Sequence, residues 1–322
     1  MTGVQTCALP ISATAIKEAR IEDGARVLAQ LASLGAKVLV SGQPEFPAQL
    51  EEIRDPPPIL YVWGDASLLT RPAVAFVGSR DHTMYGAEAA RILATAVAQR
   101  AVIVSGMARG IDAIAHTAAL DAGGSSIGVL GNGFGVVYPA ANRELYERML
   151  AHGCLITELP PGERPHAGAF PRRNRLISGL AGVTVVVEAA VNSGALITAD
   201  CALEQGRTVL AVPGPITSPT SLGCNKLIQQ GAKPALCAAD ILEELGISPP
   251  TAAGSTRRLP QDLSGLQQAL WRALEPEAKH VDTLVACVEA SGAGAADVLT
   301  ALTDLELRGL VRQEPGMVFR TS

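Results

Sequence analysis

Two short strings put glycine, serine and arginine together where an apolar run gives way to a helical pattern. They are Val77-Gly78-Ser79-Arg80 and Ser105-Gly106-Met107-Ala108-Arg109-Gly110-Ile111-Asp112. Glycine lets a backbone approach a ligand closely, and amides at a helix N-terminus favour anions. Arg80 would add a planar fork of donors suited to phosphate. In the second string a tight turn accounts for Gly106 and Gly110 but not for Arg109, and Asp112 is placed to cap the following helix. Neither string is the G-x-G-x-x-G fingerprint, so no dinucleotide cofactor is expected. The densest charge is Arg164 with Phe170-Pro171-Arg172-Arg173-Asn174-Arg175, four arginines in twelve residues beside the acid Glu163. Phosphates call for such a cluster, Phe170 can stack on a base, and Asn174 can read a base edge or cap a helix. A solvated loop or a capped helix start would have the same composition. Gly131-Asn132-Gly133-Phe134-Gly135, followed by Tyr138-Pro139, reads equally as a loop that closes over a ligand or as a plain turn. Asn192 to Thr198, after the strand carrying Glu188, and Ser221 to Lys226, leading into a helix, complete the set.

Other chemistries lack their residues. The five histidines (His82, His116, His152, His166, His280) show no metal-ligand spacing, and none of the six cysteines forms a C-x-x-C pair. No Walker A loop and no carboxylate pair of acid/base type is present. Binding without turnover fits better than catalysis, and no metal is expected.

The elements that must position these residues follow from hydrophobic period. Apolar residues from Ile21 to Leu34 recur at three- and four-residue steps, predicting a helix capped by Gly35. A strand at 38–40 follows. Pro47 and the run Asp55 to Pro58 predict an extended connection ending in the apolar stretch Ile59 to Trp63. Between Ala73 and Gly246, apolar runs at 74–77, 102–104, 127–130, 155–156, 183–187 and 209–212 alternate with helical patterns such as 86–99 and 142–151. Continuous rather than alternating hydrophobicity marks strands covered on both faces, so the fold class is α/β with a doubly wound parallel sheet. Ligands then bind at the carboxyl ends of the strands, where strand order reverses. Residues 247–260 have linker composition. Beyond them, helices at 263–274, 281–290 and 295–307 and a hairpin at 310–320 predict a winged helix over 261–322. Its nine acidic residues against five basic ones make it a poor phosphate binder and favour a protein contact.

At roughly 100–200 residues per domain, 322 residues allow two or three. A hydrophobic content of 48% supports a real core, and a net charge of −5 gives no global pull toward nucleic acid, so DNA binding must rest on a local patch. No apolar run approaches the ~20 residues of a membrane span, and a soluble, cytoplasmic protein is expected. Residues 1–12 resemble the translation of a sequencing adapter read from a GTG start. They are expected to be an artefact, with 13–72 the remnant of an N-terminally truncated helical region and lead-in.

The strings VGSR at 77–80, SGMARGID at 105–112, GNG at 131–133, YP at 138–139, ELPPG at 158–162, FPRRNRLIS at 170–178, SGALITA at 193–199 and SPTSLGCNKLI up to 228 occur in one order. In that order they resemble the DNA-processing protein A (Smf) family of bacterial natural transformation. The resemblance covers 60–246, and the C-terminal unit is similar to the family's accessory winged helix. It implies an extended Rossmann-like fold over 73–246 that binds single-stranded DNA, forms homodimers, protects incoming strands and loads the RecA recombinase while displacing single-strand-binding protein. By motif, the DNA pocket would involve Ser79, Arg80, Ser105, Arg109, Phe170, Arg172, Arg173, Asn174, Arg175 and Lys226. The chain departs from the family pattern at Gly135 and Leu159, where an acidic and an aromatic residue are common. The alternative is a nucleotide phosphoribohydrolase on a related Rossmann fold, whose P-G-G-x-G-T loop is absent from Glu188 to Ala195.

Overall fold

The computed structural model describes residues 21–247, 263–274, 279–288, 293–308, 310–314 and 316–321. The adapter-like residues 1–12 and the linker beyond Ile247 lie outside the described residues. Cα packing divides the chain between residues 249 and 250 into two compact units.

In the first unit, α1 (Ile21–Leu34) ends at Gly35 in the left-handed region, as its spacing predicts. Then come β1 (Lys37–Val40), α2 (Ala48–Glu51), β2 (Ile59–Gly64), β3 (Ala73–Val77), α3 (Met84–Val97), β4 (Val102–Ser105), α4 (Ile111–Asp121) and β5 (Ser126–Val129). They are followed by α5 (Arg143–His152), β6 (Cys154–Thr157), α6 (Ala169–Leu180), β7 (Val183–Val186), α7 (Gly194–Glu204), β8 (Thr208–Ala211), α8 (Leu222–Gln229), β9 (Lys233–Pro234) and α9 (Ala238–Glu244). One sheet runs in the order β1-β2-β6-β5-β4-β3-β7-β8-β9. From β6 to β9 every pairing is parallel.

Side chains alternate across a strand, so each buried strand feeds two cores. Ala73, Ala75 and Val77 of β3 join the core under α6, α7 and α8. Val74 and Phe76 join the one under α3, α4 and α9. A third cluster packs Leu31 of α1 and Met149 of α5 against Tyr61 and Leu155.

Two features differ from the sequence expectation. Residues 37–64, expected as a lead-in, supply two antiparallel strands that extend the parallel sheet: β1 pairs β2 at Val38↔Tyr61, and β2 pairs β6 at Val62↔Ile156. Leu60, Tyr61 and Val62 are all buried, so the apolar run that seemed to close a connector is itself a two-faced strand. The expected extended connection at Pro47 holds the helical turn α2. Pro47 precedes that turn, where a missing amide costs nothing, and Leu50 is buried.

The second unit holds α10 (Gly265–Leu274), β10 (Lys279–His280), α11 (Val281–Val288), α12 (Ala295–Leu307), β11 (Val311–Glu314) and β12 (Val318–Thr321). β12 pairs with both β10 and β11, giving the three helices and wing of a winged helix. Leu270, Trp271, Leu284, Leu302, Leu305 and Phe319 form its core. Among the described residues no helix is long and apolar enough to cross a membrane.

Candidate functional site

Chain order reverses beside β3: β4, β5 and β6 lie to one side of it, and β7 and β8 to the other. A crevice opens beyond the carboxyl ends at such a point, because the flanking crossovers diverge onto opposite faces. Here it is a cleft of about 620 Å³, lined by the Gly78-Ser79-Arg80 loop after β3, the first turns of α6 and the start of α7. A smaller hollow lined by Arg80, Arg109, Gly131 and Tyr138 shares Phe170 and Arg173 with it.

The two Gly-Ser-Arg strings meet directly. The Ile111 amide donates to Ser79 O at 3.1 Å, and Gly110 has φ +83°. A Cβ on Gly110 would lie 2.3 Å from Ser79 O, so glycine is required both for the turn and for the approach. Met107, also at positive φ, is held by Asn142, whose Nδ2 donates to Met107 O at 3.0 Å. The Ser79 hydroxyl accepts the Asp81 amide at 3.1 Å, while among the described residues the Ser79 and Arg80 amides have no acceptor.

Above the cleft stands an aromatic platform. Phe170 and Tyr138 have ring centroids 5.4 Å apart, and the Arg80 guanidinium lies 5.9 Å from the Phe170 centroid. A Cβ on Gly131 would come within 2.8 Å of the Phe170 ring, which accounts for the first glycine of the GNG string. Tyr138 was not among the expected site residues. Its only sequence signal was its place beside Pro139 after that turn.

The arginines divide into two groups. Arg80 is exposed with no acid within salt-bridge distance among the described residues, Arg109 is exposed and bound to Asp81 at 2.6 Å, and Arg172 is exposed with Glu158 at 3.3 Å. Arg173, by contrast, is 5% exposed. Its Nη1 donates to Gly106 O at 2.5 Å and to Val129 O. Burial pulls its pKa down to about 10, opposed by the Asp112 charge, so it stays cationic at neutral pH. Arg175 is braced by Glu158 at 2.7 Å and Asp55 at 3.2 Å.

The cleft therefore brings together Ser79, Arg80, Phe170, Arg173 and Asn174, with Arg109 joining in the adjoining hollow. Ser105 is fully buried and its hydroxyl donates to Phe76 O at 2.6 Å. Arg172, Arg175 and Lys226 line neither cavity, and Lys226 is exposed on α8. Asp112 does not cap α4, whose N-cap is Gly110. It is buried and reaches back to accept the Gly106 amide at 3.1 Å. Burial raises its pKa, against the pull of the Arg173 charge.

Two buried polar groups complete the neighbourhood. Glu188 takes the Thr83 amide at 2.9 Å and the Thr220 hydroxyl, tying the loop after Arg80 to the loop before α8. His116 lies 2.7 Å from Ser126 Oγ, which donates to Ile103 O, so the imidazole Nδ1–H donates to the serine. Burial depresses the His116 pKa to about 3, leaving it neutral. Among the described residues no group of His, Cys, Asp and Glu has a metal-binding arrangement.

Residues 37–246 match the family described as DNA recombination-mediator protein A, and residues 254–317 match the DprA winged helix domain. The chain is 43% identical over 222 residues to the DNA processing protein DprA of Bacillus subtilis, covering 68% of this chain and 75% of that one. The X-ray structure of DNA processing protein A from Streptococcus pneumoniae is similar at a TM-score of 0.64 and 41% identity, over 67% of this chain and 77% of that one. The Helicobacter pylori protein of the same name, solved for its single-stranded DNA binding mode, is similar at a TM-score of 0.59 and 29% identity, over 65% of this chain and 95% of that one.

Proposed function

Since the chain belongs to the DNA recombination-mediator protein A family, that of the DprA and Smf proteins, we propose that its switch-point cleft binds single-stranded DNA and does not turn it over. The observation that carries this reading is the Phe170–Tyr138 platform with Arg80 above it, beside two amides that have no acceptor among the described residues. Every base has a π-face, so a base stacked on Phe170 is held without regard to sequence, and a neighbouring phosphate meets Arg80 and the Ser79 and Arg80 amides. Arg109 and Arg172 extend the cationic track at the rim, Asn174 offers an amide to a base edge, and Lys226 takes a more distant phosphate. Ser105 and Arg175 support the site from beneath. The Helicobacter pylori relative's single-stranded DNA binding mode supports the same choice of ligand.

In the cell, the protein would act in the cytoplasm as a homodimer. It would protect incoming strands during natural transformation and load the RecA recombinase as single-strand-binding protein leaves. The acidic winged helix would meet a protein partner rather than DNA. Fluorescence anisotropy of labelled oligo-dT and of duplex DNA across a salt titration tests the core of this reading. Single-strand preference with salt-dependent affinity is expected. If the folded protein leaves oligo-dT unbound at low salt, the reading fails, and nucleoside-monophosphate hydrolysis becomes the activity to assay.

A further inference from the structure

We propose that Arg173 is a positioning residue, whose buried guanidinium bolts the first turns of α6, and with them Phe170, to the ends of β4 and β5. Apart from Arg173, the start of α6 is tied by the buried Ala169 and by the Arg172 and Arg175 bridges to Glu158. Its N-cap, Gly168, provides no side-chain hydrogen bond, and exposed residues precede it. The packed face of the helix begins in earnest only at Leu176 and Ile177. Phe170 and Arg173 are three residues apart and so share a helix face. Nη1 of Arg173 bridges Gly106 O, just past β4, and Val129 O, the last carbonyl of β5. Phe170 rests on Gly131, two residues beyond that second acceptor. Asp112, which lies against Gly106 from the α4 side, supplies the counter-charge that a buried arginine requires. A lysine cannot reproduce the planar fork. On this view one arginine of the FPRRNR string sets the aromatic platform and its neighbour Arg172 remains at the rim.

The DNA half of the inference rests on the proposed function, while the half concerning α6 does not, and the experiment separates them. In the full chain, Arg173→Met and Gly106→Ala are compared with wild type and with Arg172→Met. Gly106→Ala keeps every charge, but its Cβ would lie 2.7 Å from both Arg173 Nη atoms and from Asp112 Oδ2, so it displaces the guanidinium even where Arg173→Met is too unstable to purify. The first readout is amide hydrogen exchange in the free protein over Asn174 to Leu176, whose i→i−4 bonds end on Phe170 to Arg172, expected about tenfold faster in both test variants and unchanged in Arg172→Met. The second is oligo-dT affinity, expected to fall about tenfold at an unchanged salt slope. Because Arg173 acts through Phe170, less than about twofold further loss is expected when either variant is combined with Phe170→Ala. Unchanged exchange overturns the proposal. So does a salt slope reduced by about 0.7, the signature of one lost phosphate contact. If wild type leaves oligo-dT unbound, the proposed function fails and the exchange measurement alone decides the role of Arg173.

Discussion

Arg80→Ala gives the sharpest prediction about the cleft, because Arg80 is the arginine there with no acid partner among the described residues and no burial role. Three exposed arginines are available to a strand: Arg80 and Arg109, which line the site, and Arg172, on the first turn of α6 next to Arg173. If each neutralises one phosphate of a single strand, the slope of log K against log salt is about −2.1, at about −0.7 per contact. Raising salt fourfold then weakens binding about 18-fold. Removing Arg80 takes the slope to about −1.4 and the same salt step to about sevenfold. The variant also loses the cation above Phe170, worth about 0.5–1 kcal/mol at an exposed site, so its low-salt affinity falls further than charge alone requires. Anisotropy of labelled oligo-dT, titrated at four or more salt concentrations with both proteins, gives the two slopes directly. Identical slopes for wild type and Arg80→Ala would refute the assignment of Arg80 to phosphate. A wild-type slope near −5 would show that most phosphate contacts lie outside this cleft.

Three further outcomes are expected. Phe170→Ala should weaken oligo-dT binding by about 1–3 kcal/mol with the salt slope unchanged, and should abolish the stacking-dependent quench of 2-aminopurine placed in the strand; a retained quench places the bases elsewhere. Removing 261–322 should leave oligo-dT affinity within about threefold, since that unit carries nine acids and five bases; a larger loss assigns DNA contacts to it. His116 has its folded pKa depressed to about 3 from an ordinary value of 6.5, so the unfolded chain binds the extra proton between those values. Its contribution to stability is full above about pH 6.5 and is lost as pH falls toward 3, at about 1.4 kcal/mol per pH unit. Urea unfolding of wild type and His116→Asn should therefore show a difference that shrinks by about 2–3 kcal/mol between pH 6.5 and 4.5. Parallel curves would contradict neutral burial of this histidine.

The six parallel strands β3 to β8 were legible because each is short and apolar without alternation, two of them running straight into a glycine-bearing turn, at Ala73 to Gly78 and Val102 to Gly106, whereas β9, Lys233–Pro234, is exposed and carries no apolar run. The Gly-Ser-Arg loops were legible for the same reason, since the switch-point rule ties strand ends to ligands without needing side-chain detail. What composition could not divide was the arginine cluster. Arg172, Arg173 and Arg175 look alike in sequence, but α6 turns them about 100° per residue, toward the rim, the sheet and a carboxylate pair. The partners that decide their roles, Asp112, Glu158 and Asp55, come from other segments. The same limit explains Asp112, whose spacing suits a cap although its carboxylate turns back to Gly106. It explains Tyr138 too, which becomes part of a platform only once Phe170 arrives from α6.

Charge and stacking together bear on why the ligand would be a single strand. A chain of net charge −5 repels a polyanion at a distance, and two arginines of the FPRRNR string, Arg173 and Arg175, are already committed to buried or braced positions. Phosphate contacts alone would then leave binding weak at physiological salt, so stacking on Phe170 has to supply what the missing cations do not. Stacking is available only to a base free of its neighbour and its partner strand. A duplex brings denser charge but hides its bases, and prying one out costs a few kcal/mol, as much as the platform returns. The preference for single strands thus comes from the balance between few cations and one aromatic surface. Added cations at the rim, for example Glu163→Lys with Asp81→Lys, should raise affinity for both forms of DNA while narrowing the ratio between them. A widened ratio would mean that some feature other than this balance selects the strand.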